Sequence, residues 1–184
     1  MNSFYNKEEL KNLGLKSFGK QVLISKKCSI YSPEKIEIGD NVRIDDFCIL
    51  SGKIKIGTNV HISAYSALYA GDYGINIKDY AGISSRCTLY AQTDDYSGNY
   101  MVGACLPDNV RNIIGGEIIL DKYSIIGSSS VILPNTVVSE GVAIGAMSFL
   151  GKNTTTEPWY IYVGSPLRKL KKRNKNILNL VKEL

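Results

Sequence analysis

The sequence lacks features that several classes of protein require. No run of apolar residues approaches the roughly 18 that a membrane-spanning helix needs. The first ten residues include Lys7, Glu8 and Glu9 and no long apolar stretch, so no secretory leader is predicted. The four cysteines form no CxxC pair and the single histidine belongs to no HxxxH pattern, so a metal site of the usual kind is not expected. Without a leader, four cysteines favour reduced thiols in the cytoplasm over a disulfide scaffold.

What the sequence does contain is typical of one globular domain. Its 184 residues are 44% hydrophobic and 21% charged, which is enough for a core without disulfide or metal support. The net charge of +5 is concentrated near the C-terminus, where seven cations face a single anion, Glu183. These cations are Arg168, Lys169, Lys171, Lys172, Arg173, Lys175 and Lys182.

The basic run has three interpretations. The apolar residues Leu170, Ile177, Val181 and Leu184 follow helix-like spacings, which predicts a basic C-terminal helix with a solvated face. The cations would also suit a position beside an anionic cofactor. Binding of nucleic acid is not predicted, because the run is short and has no interleaved aromatic residues.

An aliphatic residue recurs at every sixth position over most of the chain. The positions are Ile24, Ile30, Ile38, Ile44, Leu50, Ile56, Ile62, Leu68, Ile77, Ile83, Leu89, Leu120, Ile126, Ile132, Val138, Ile144 and Leu150. A six-residue unit is a short strand plus a tight turn, and three units make a triangular coil that stacks on the next at the strand spacing of about 4.8 Å. The sequence therefore predicts an all-β fold, a parallel β-helix of about five to six coils. The period does not fix the handedness.

Three segments interrupt the repeat, and loops that interrupt a solenoid usually carry function. They cover residues 32–35, 70–74 and about 91–116, and counting by threes puts the second and third on the same side of the prism, one coil apart. We predict an N-terminal cap over 1–21, with a short helix near Asn6 to Asn12. A β-helix over 22–155 follows, with a protruding loop over 91–117, and then a C-terminal segment with the basic helix over 156–184.

The cysteines and the histidine fall at defined positions of the repeat. Cys28, Cys48 and Cys87 each lie four residues after an aliphatic position, in the small inward slot, so we expect them in the core. Cys105 lies in the long loop, without a neighbouring base in the sequence. His61 ends its hexad and points out of the prism, close to the second interruption. Histidine changes charge near neutral pH, so His61 is a candidate for a catalytic or substrate-contacting role.

Three segments carry a resemblance to a known family: IGTNVH at 56–61, IGAMS at 144–148 and YVGSPLR at 162–168, with its Gly-x-Pro-x-Arg pattern. They resemble the hexapeptide-repeat acyltransferases, most closely the branch that acetylates sugars, and the likeness covers about Val22 to Arg173. The resemblance implies a left-handed β-helix, a homotrimer, acetyl-CoA as the acetyl donor, and active sites between adjacent subunits.

The resemblance also implies residues for binding CoA. Ser128 and Ala146 match positions that contact the pantetheine arm, largely through backbone groups. Gly151 and Lys152 match a pair near the end of the coil, and Arg168 matches an arginine near the nucleotide phosphates. An exposed cation near a diphosphate forms charge-assisted hydrogen bonds.

The catalytic side departs from the sugar O-acetyltransferases. Those enzymes carry a histidine early in the long loop, where this sequence has Asp94. The DDYSG loop at 94–98, together with the NSFY start at 2–5, resembles nucleotide-sugar N-acetyltransferases that act on 4-amino-4,6-dideoxyhexoses. An amine acceptor needs less help from a positioned base than a hydroxyl does, which agrees with the loss of that histidine.

The sequence therefore predicts a cytoplasmic enzyme that transfers acetyl directly from acetyl-CoA to a nucleotide-linked amino sugar, in the synthesis of a surface polysaccharide such as O-antigen, capsule or lipopolysaccharide. His61 is the first candidate to receive the proton, and Asp94 is the second. The predicted contacts to the sugar or its base are Tyr65, Tyr69, Asp72, Asp95 and Tyr96. Two alternatives remain open: a sugar O-acetyltransferase of the galactoside or polysaccharide type, and a non-catalytic trimeric binding or scaffold protein.

Overall fold

The computed structural model describes residues 3–183, so the predictions that involve Asn2 and Leu184 lie outside the described residues. The chain winds into a triangular prism with three flat sides, here called faces A, B and C. Each face carries short strands that pair in parallel with the strands of the next turn. This arrangement confirms the parallel β-helix that the six-residue period predicts.

Successive turns of the prism contribute one strand to each face. Face A consists of β2 (Leu23–Ile24), β5 (Arg43–Ile44), β7 (His61–Ile62), β9 (Gly82–Ile83), β14 (Ile125–Ile126), β17 (Ala143–Ile144) and β19 (Tyr160–Val163). Face B consists of β3 (Ser29–Tyr31), β10 (Thr88–Tyr90), β15 (Val131–Ile132), β18 (Phe149–Leu150) and the first halves of β6 (Ile49–Ile56) and β8 (Ala67–Ile77). Face C consists of β1 (Ser17–Phe18), β4 (Ile36–Ile38), β13 (Ile118–Leu120), β16 (Thr136–Val138) and the second halves of β6 and β8.

The prism has about seven turns, more than the five to six that the repeat predicts. The difference arises at its two ends. The first turn uses β1 and the last uses β19, and both strands pair in register with their neighbours. Phe18 and Tyr162 keep the six-residue phase of the repeat, but both are aromatic, so a count of aliphatic positions does not include them.

The prism interior is filled by the aliphatic residues of the repeat. Ile24, Ile44, Ile62, Ile83 and Ile126 stack along face A, and none of them is more than 1% exposed. Burying one such side chain contributes about 1.5–3 kcal/mol. A contiguous interior column therefore holds the coils together.

Small residues occupy the inward slot at the corner between faces A and B, where a hydroxyl or thiol can reach a turn carbonyl. Ser130 Oγ donates to Gly127 O at 2.7 Å, and Ser148 Oγ donates to Gly145 O at 2.7 Å. The thiol of Cys87 approaches Gly127 O at 3.2 Å in the same way. Buried polar groups must be hydrogen-bonded, and this geometry provides the partner.

The corners themselves depend on residues in the left-handed backbone conformation. Tyr65, Arg86, Ser129 and Met147, at the corner between faces A and B, have φ between 57° and 63°. Each donates its backbone N–H to a carbonyl of the turn below, as Tyr65 does to Asp46 O at 3.0 Å. This conformation costs a non-glycine residue roughly 1–2 kcal/mol, and the hydrogen bond between turns offsets part of that cost.

All three interruptions of the repeat lie at one corner, between faces B and C. The first is a 3₁₀ turn over Pro33–Lys35, and the second lies within β8. The third is a hairpin of β11 (Gln92–Asp94) and β12 (Ile113–Gly115), with a 3₁₀ turn over Asp108–Val110. Tyr73 packs against the hairpin so closely that a Cβ on Gly115 would overlap its ring. The prediction that the second and third interruptions share a side, one coil apart, is thus confirmed.

A short helix packs near the N-terminal end of the prism, with its Leu10 buried in the core. Helix α1 (Lys7–Asn12) has Asn6 as its N-cap. The Asn6 side chain accepts hydrogen bonds from the backbone N–H groups of Glu8 and Glu9, and the Glu9 side chain accepts one from the backbone N–H of Asn6. This capping box confirms the predicted N-terminal helix.

No helix within residues 3–183 is long and apolar enough to cross a membrane.

The predicted basic helix is wrong for most of its length. Residues 168–172 form strand β20 (Arg168–Lys172), which runs antiparallel to β19. Only α2 (Ile177–Leu180) is helical, followed by a 3₁₀ turn over Val181–Glu183. The sheet edge offered by β19 outweighs helix propensity here, because strand pairing satisfies backbone groups that would otherwise end the sheet.

The three repeat cysteines are buried, as predicted, and Cys105 in the long loop is exposed. Burial raises the pKa of Cys28 to about 12 and that of Cys48 to about 11. Burial also raises the pKa of Cys87. Since the thiolate is the reactive form, these thiols are protected both sterically and chemically.

We therefore predict that one thiol of the four reacts rapidly with Ellman's reagent at pH 8 and that the other three react only after unfolding. A stopped-flow titration of the native protein measures both phases. Cys105→Ser should remove the fast phase and leave the slow one. Rapid reaction of two or more thiols would contradict the buried positions.

Candidate active site

His61 stands on the outer surface of face A, in a chain of polar contacts. Its Nε2 lies 2.8 Å from Asp45 Oδ2. Asp45 Oδ1 accepts a hydrogen bond from Arg43 Nε at 2.7 Å, and the Arg43 guanidinium lies over the Phe4 ring at 5.2 Å. A carboxylate that holds one imidazole nitrogen leaves the other directed elsewhere, as in hydrolase triads.

The partners of His61 are not predicted from the sequence. Arg43 is paired with His61 in the register of the sheet, one turn below it, and Asp45 follows two residues later. The signal was present, because three hexads bring position 43 under position 61. Such neighbours across turns are separated along the chain, and a search among sequence neighbours does not find them.

The carboxylate of Asp45 is held in its charged form. Burial alone would raise the pKa of Asp45, but its hydrogen bonds with Arg43 and His61 lower it below the ordinary value. Asp45 therefore stays ionised and can orient the imidazole over the physiological pH range.

Next to this chain lies an aromatic cleft at the corner between faces A and B. The rings of Phe47 and Tyr65 stack with centroids 4.9 Å apart, and both remain about half exposed. Arg86 lies above Tyr65 at 6.0 Å. The cleft has a volume of about 430 Å³ and is also lined by Phe4 and Arg43. Exposed stacked rings can receive a flat group.

The loop candidates lie at the other edge of face B. Asp94 Oδ1 accepts from Arg111 Nη2 at 3.1 Å. Asp95 uses both of its carboxylate oxygens within the loop, accepting from Asn112 Nδ2 at 2.9 Å and from Ser97 N at 2.8 Å. The hairpin therefore offers Asp94 for chemistry more readily than Asp95.

Three further candidates lie near the hairpin. Tyr69 stacks on Tyr90 with centroids 5.3 Å apart, at the base of the hairpin. Asp72 pairs with Lys35 at 2.7 Å, and the hydrogen bond from Lys35 lowers the pKa of Asp72. Tyr96 is 78% exposed at the tip.

The residues expected to bind CoA fall into two groups. Ser128 and Ala146 are exposed at the corner between faces A and B in successive turns, where Met147 N donates to Ser128 O. Arg168 starts β20 opposite Val163, near the top of face A.

Gly151 and Lys152 lie at the opposite corner, between faces B and C, directly after β18. Lys152 is close enough to the hairpin to act on Asp95. The pKa of Asp95 is lowered chiefly by its hydrogen bond with Asn112, and the positive charge of Lys152 adds to that effect.

One chain therefore carries the candidates on two separated edges of face B. The edge toward face A holds His61, Tyr65, Ser128, Ala146 and Arg168, and the edge toward face C holds Tyr69, Asp72, Asp94, Asp95, Tyr96, Gly151 and Lys152. Between them, the outward residues of face B are uncharged: Ser29, Ile49, Ala67, Thr88, Val131 and Phe149. Within residues 3–183, no group of His, Cys, Asp and Glu side chains could hold a metal ion.

With this geometry in hand, comparison with known proteins identifies the class. Residues 35–69 match the family model described as bacterial transferase hexapeptide (six repeats). The chain is 40% identical over 181 residues to dTDP-4-amino-4,6-dideoxy-D-glucose acyltransferase from Escherichia coli, covering 97% of this chain and 93% of that protein.

Solved structures of AntD, an N-acyltransferase from Bacillus cereus, are similar over the whole chain. One, an S84A variant in complex with dTDP-4-amino-4,6-dideoxyglucose and coenzyme A, has a TM-score of 0.96 and 55% identity over 100% of this chain and 97% of that chain. Another, with dTDP and 3-hydroxybutyryl-CoA, has a TM-score of 0.95 at 55% identity, over 100% of this chain and 96% of that chain.

The fold and these similarities together define a hexapeptide-repeat transferase. More specifically, the chain belongs to the family of hexapeptide-repeat acyltransferases that includes these nucleotide-sugar N-acyltransferases. The predicted family and the predicted enzyme class are confirmed.

The contacts of Asp45 make a prediction about stability and pH. A carboxyl group whose pKa is lowered by folding stabilises the protein above its unfolded pKa, about 3.9 for aspartate, and loses that contribution as the pH falls through the folded value. We expect Asp45→Asn to lower the free energy of unfolding at pH 6 by about 1–2 kcal/mol. The difference from the parent protein should shrink as the pH falls from about 5 toward 3.

Urea unfolding followed by circular dichroism at a series of pH values measures this difference. The matched control is Glu34→Gln, which changes an exposed carboxylate and should have a small effect at every pH. A difference for Asp45→Asn that stays constant down to pH 3 would show that its ion pairs contribute nothing.

Proposed function

We propose that this protein transfers an acyl group from an acyl-CoA to the amino group of a dTDP-linked 4-amino-4,6-dideoxy sugar. The observation that carries the proposal is the 55% identity, over the whole chain, to AntD, whose structures hold dTDP-4-amino-4,6-dideoxyglucose and coenzyme A. The E. coli relative, a dTDP-4-amino-4,6-dideoxy-D-glucose acyltransferase, supports the same substrate. AntD also holds 3-hydroxybutyryl-CoA, which adds short hydroxyacyl groups to the acetyl group that the sequence resemblance implies.

The acceptor side of the proposed site contains Asp94. The solved AntD variants include S84A and D94N, and this chain has the same residue types at the same numbers, Ser84 and Asp94. No role for Ser84 is predicted from the sequence. It lies on the turn directly after β9, whose Gly82 is the register partner of His61, so Ser84 and His61 share face A.

The chemistry requires one bond to form and one to break. The amine nitrogen attacks the thioester carbon, the C–N bond forms, the C–S bond breaks, and a proton passes from the amine to the CoA thiolate. We propose that Asp94 orients the amine through a hydrogen bond and that His61, held by Asp45, accepts its proton and then passes it to the leaving thiolate. Holding the amine and the thioester together supplies much of the rate, because oriented reactants react at high effective concentration.

The donor side of the site uses the exposed corner backbone at Ser128 and Ala146. Arg168 and Lys152 would bind the phosphate groups of CoA, since both are exposed cations and charge-assisted bonds to phosphate are strong.

The protein works as a homotrimer in this proposal. The candidates lie on opposite edges of face B, and the uncharged outer surface of that face suits contact with a second copy. The edge toward face C of one subunit would then meet the edge toward face A of its neighbour, which completes the site. Acyl-CoA and nucleotide sugars are substrates found in the cytoplasm, so we place the enzyme there, in the synthesis of a surface polysaccharide.

We predict release of CoA thiol when the protein, acetyl-CoA and dTDP-4-amino-4,6-dideoxyglucose are mixed. His61→Asn should lower kcat by about 10²-fold with little change in the KM of acetyl-CoA. Asp94→Asn should lower kcat/KM mainly through the KM of the sugar. A thiol-detecting assay at varied substrate concentrations measures both effects.

The control substrate is the matching dTDP-sugar with a 4-hydroxyl group. Faster acylation of the hydroxyl than of the amine would favour the O-acetyltransferase, and no thiol release with any acceptor would favour a scaffold. If Asp94→Asn lowers kcat more than His61→Asn does, the base is in the loop.

The shared site makes a prediction about mixed trimers. His61→Asn and Asp94→Asn subunits, each poorly active alone, should regain activity when they are unfolded together and refolded, because some interfaces then combine an intact His61 with an intact Asp94. Light scattering should give a trimer for each variant. Mixed samples no more active than the separate variants would place both residues in one subunit.

A further inference from the structure

The hairpin of β11 and β12 contains an ion pair that is better buried than the other ion pairs of the described chain. It joins Arg111 and Asp94, whose side chains are 15% and 19% exposed. The contact is a single hydrogen bond, from Arg111 Nη2 to Asp94 Oδ1, at 3.1 Å. The other acidic neighbour of the guanidinium, Asp108, lies 3.7 Å away and is fully exposed, so it interacts weakly through solvent.

The bond leaves half of the Asp94 carboxylate available. No residue within 3–183 forms a hydrogen bond with Asp94 Oδ2, whereas Asn112 and Ser97 occupy the two oxygens of the adjacent Asp95. The two aspartates therefore differ in how many of their carboxylate oxygens are already hydrogen-bonded. Asp95 shapes the loop, and Asp94 presents one free oxygen from a fixed position.

The backbone of Arg111 is fixed by two contacts, and its side chain is buried in a way that stability alone does not favour. Its backbone N–H donates to Asp108 O at 3.2 Å, and it forms a bridge with Met101 across the loop. Its Nε is buried without a hydrogen-bond partner among the described residues. A buried donor without a partner is destabilising, and a buried ion pair is often no more stable than an apolar replacement. Stability alone does not account for arginine at this position.

We propose that Arg111 is a positioning residue that fixes the Asp94 carboxylate so that Oδ2 faces the acceptor amine. The proposal rests on the function proposed above. The guanidinium binds Oδ1, sets the rotamer of Asp94 and keeps the carboxylate from turning into the loop. Arg111 touches neither substrate, and its whole effect passes through Asp94.

The test is a double-mutant cycle on Arg111 and Asp94, measured with acetyl-CoA and dTDP-4-amino-4,6-dideoxyglucose. Arg111→Met keeps much of the length of the side chain and removes its charge. We expect it to lower kcat/KM for the nucleotide sugar by about 10²-fold, the size of effect seen when a reacting group is misplaced by about 1 Å. The KM of acetyl-CoA should stay within about twofold. In an Asp94→Asn background the same change should cost less than about threefold.

The matched control is Asn112→Ala, which removes the neighbouring loop contact to Asp95. It should cost about the same in both backgrounds, because a general effect on the loop is independent of Asp94. If Arg111→Met lowers the melting temperature, Arg111→Lys provides the comparison, since it keeps a cation in reach of Asp94 and should retain more activity than the methionine variant.

Two results would overturn the proposal while leaving the enzyme's function intact. One is an Arg111→Met variant with normal kcat/KM, and the other is an equal loss in the parent and in the Asp94→Asn background. A parent protein that acylates no amino sugar would instead overturn the proposed function itself, and the role of Arg111 with it.

Discussion

The hydrogen bond that left-handed corner residues donate to the turn below is the contact on which the structure depends. Fourteen non-glycine residues of the described chain have positive φ, mostly at the prism corners. The left-handed conformation of each would be strained in an isolated chain. In the prism, that conformation lets the backbone N–H donate to a carbonyl of the turn below, and this bond repeats from turn to turn. The corner fixes the six-residue period, and the period sends the aliphatic side chains inward. The regular spacing of residues on the outer surface, including those of the site, therefore depends on this one contact.

The site follows from where this regularity is broken. Corners between faces A and B stay strict and present an even ladder of backbone groups, which suits a long, extended donor such as acyl-CoA. Corners between faces B and C carry all three insertions, and these insertions hold the side chains that we propose for the acceptor. Gly52 and Gly71 make this second corner possible, because a Cβ on Gly52 would overlap the backbone of Gly71. Face B separates the two halves, which is why the proposed site is completed by a second subunit.

The sequence predicts the fold well because the repeat records a physical constraint at every turn. Ile62 and Cys48 could be assigned to the interior from spacing alone. The prediction of a basic helix was wrong because the helical spacing of Leu170 arises by chance. Its segment pairs with the edge of β19 as a strand, and the sequence does not reveal that edge. Contacts between residues that are distant along the chain are also not predicted from the sequence. Asp45 is sixteen residues from His61 and Arg111 is seventeen from Asp94, and only the stacking of coils and the closing of the hairpin bring these pairs together.

The concentration of insertions at one corner has an evolutionary consequence. A hairpin inserted between β10 and β13 leaves the register of every coil unchanged, so its length and sequence can drift without loss of the core. Its contacts with the coils include Tyr73 against Gly115 and the Gln92 side chain against Gly71. The hairpin is therefore a cassette. Under the proposed function, exchange of this cassette, about one-seventh of the chain, would alter the acceptor side of the site and leave the corner ladder unchanged.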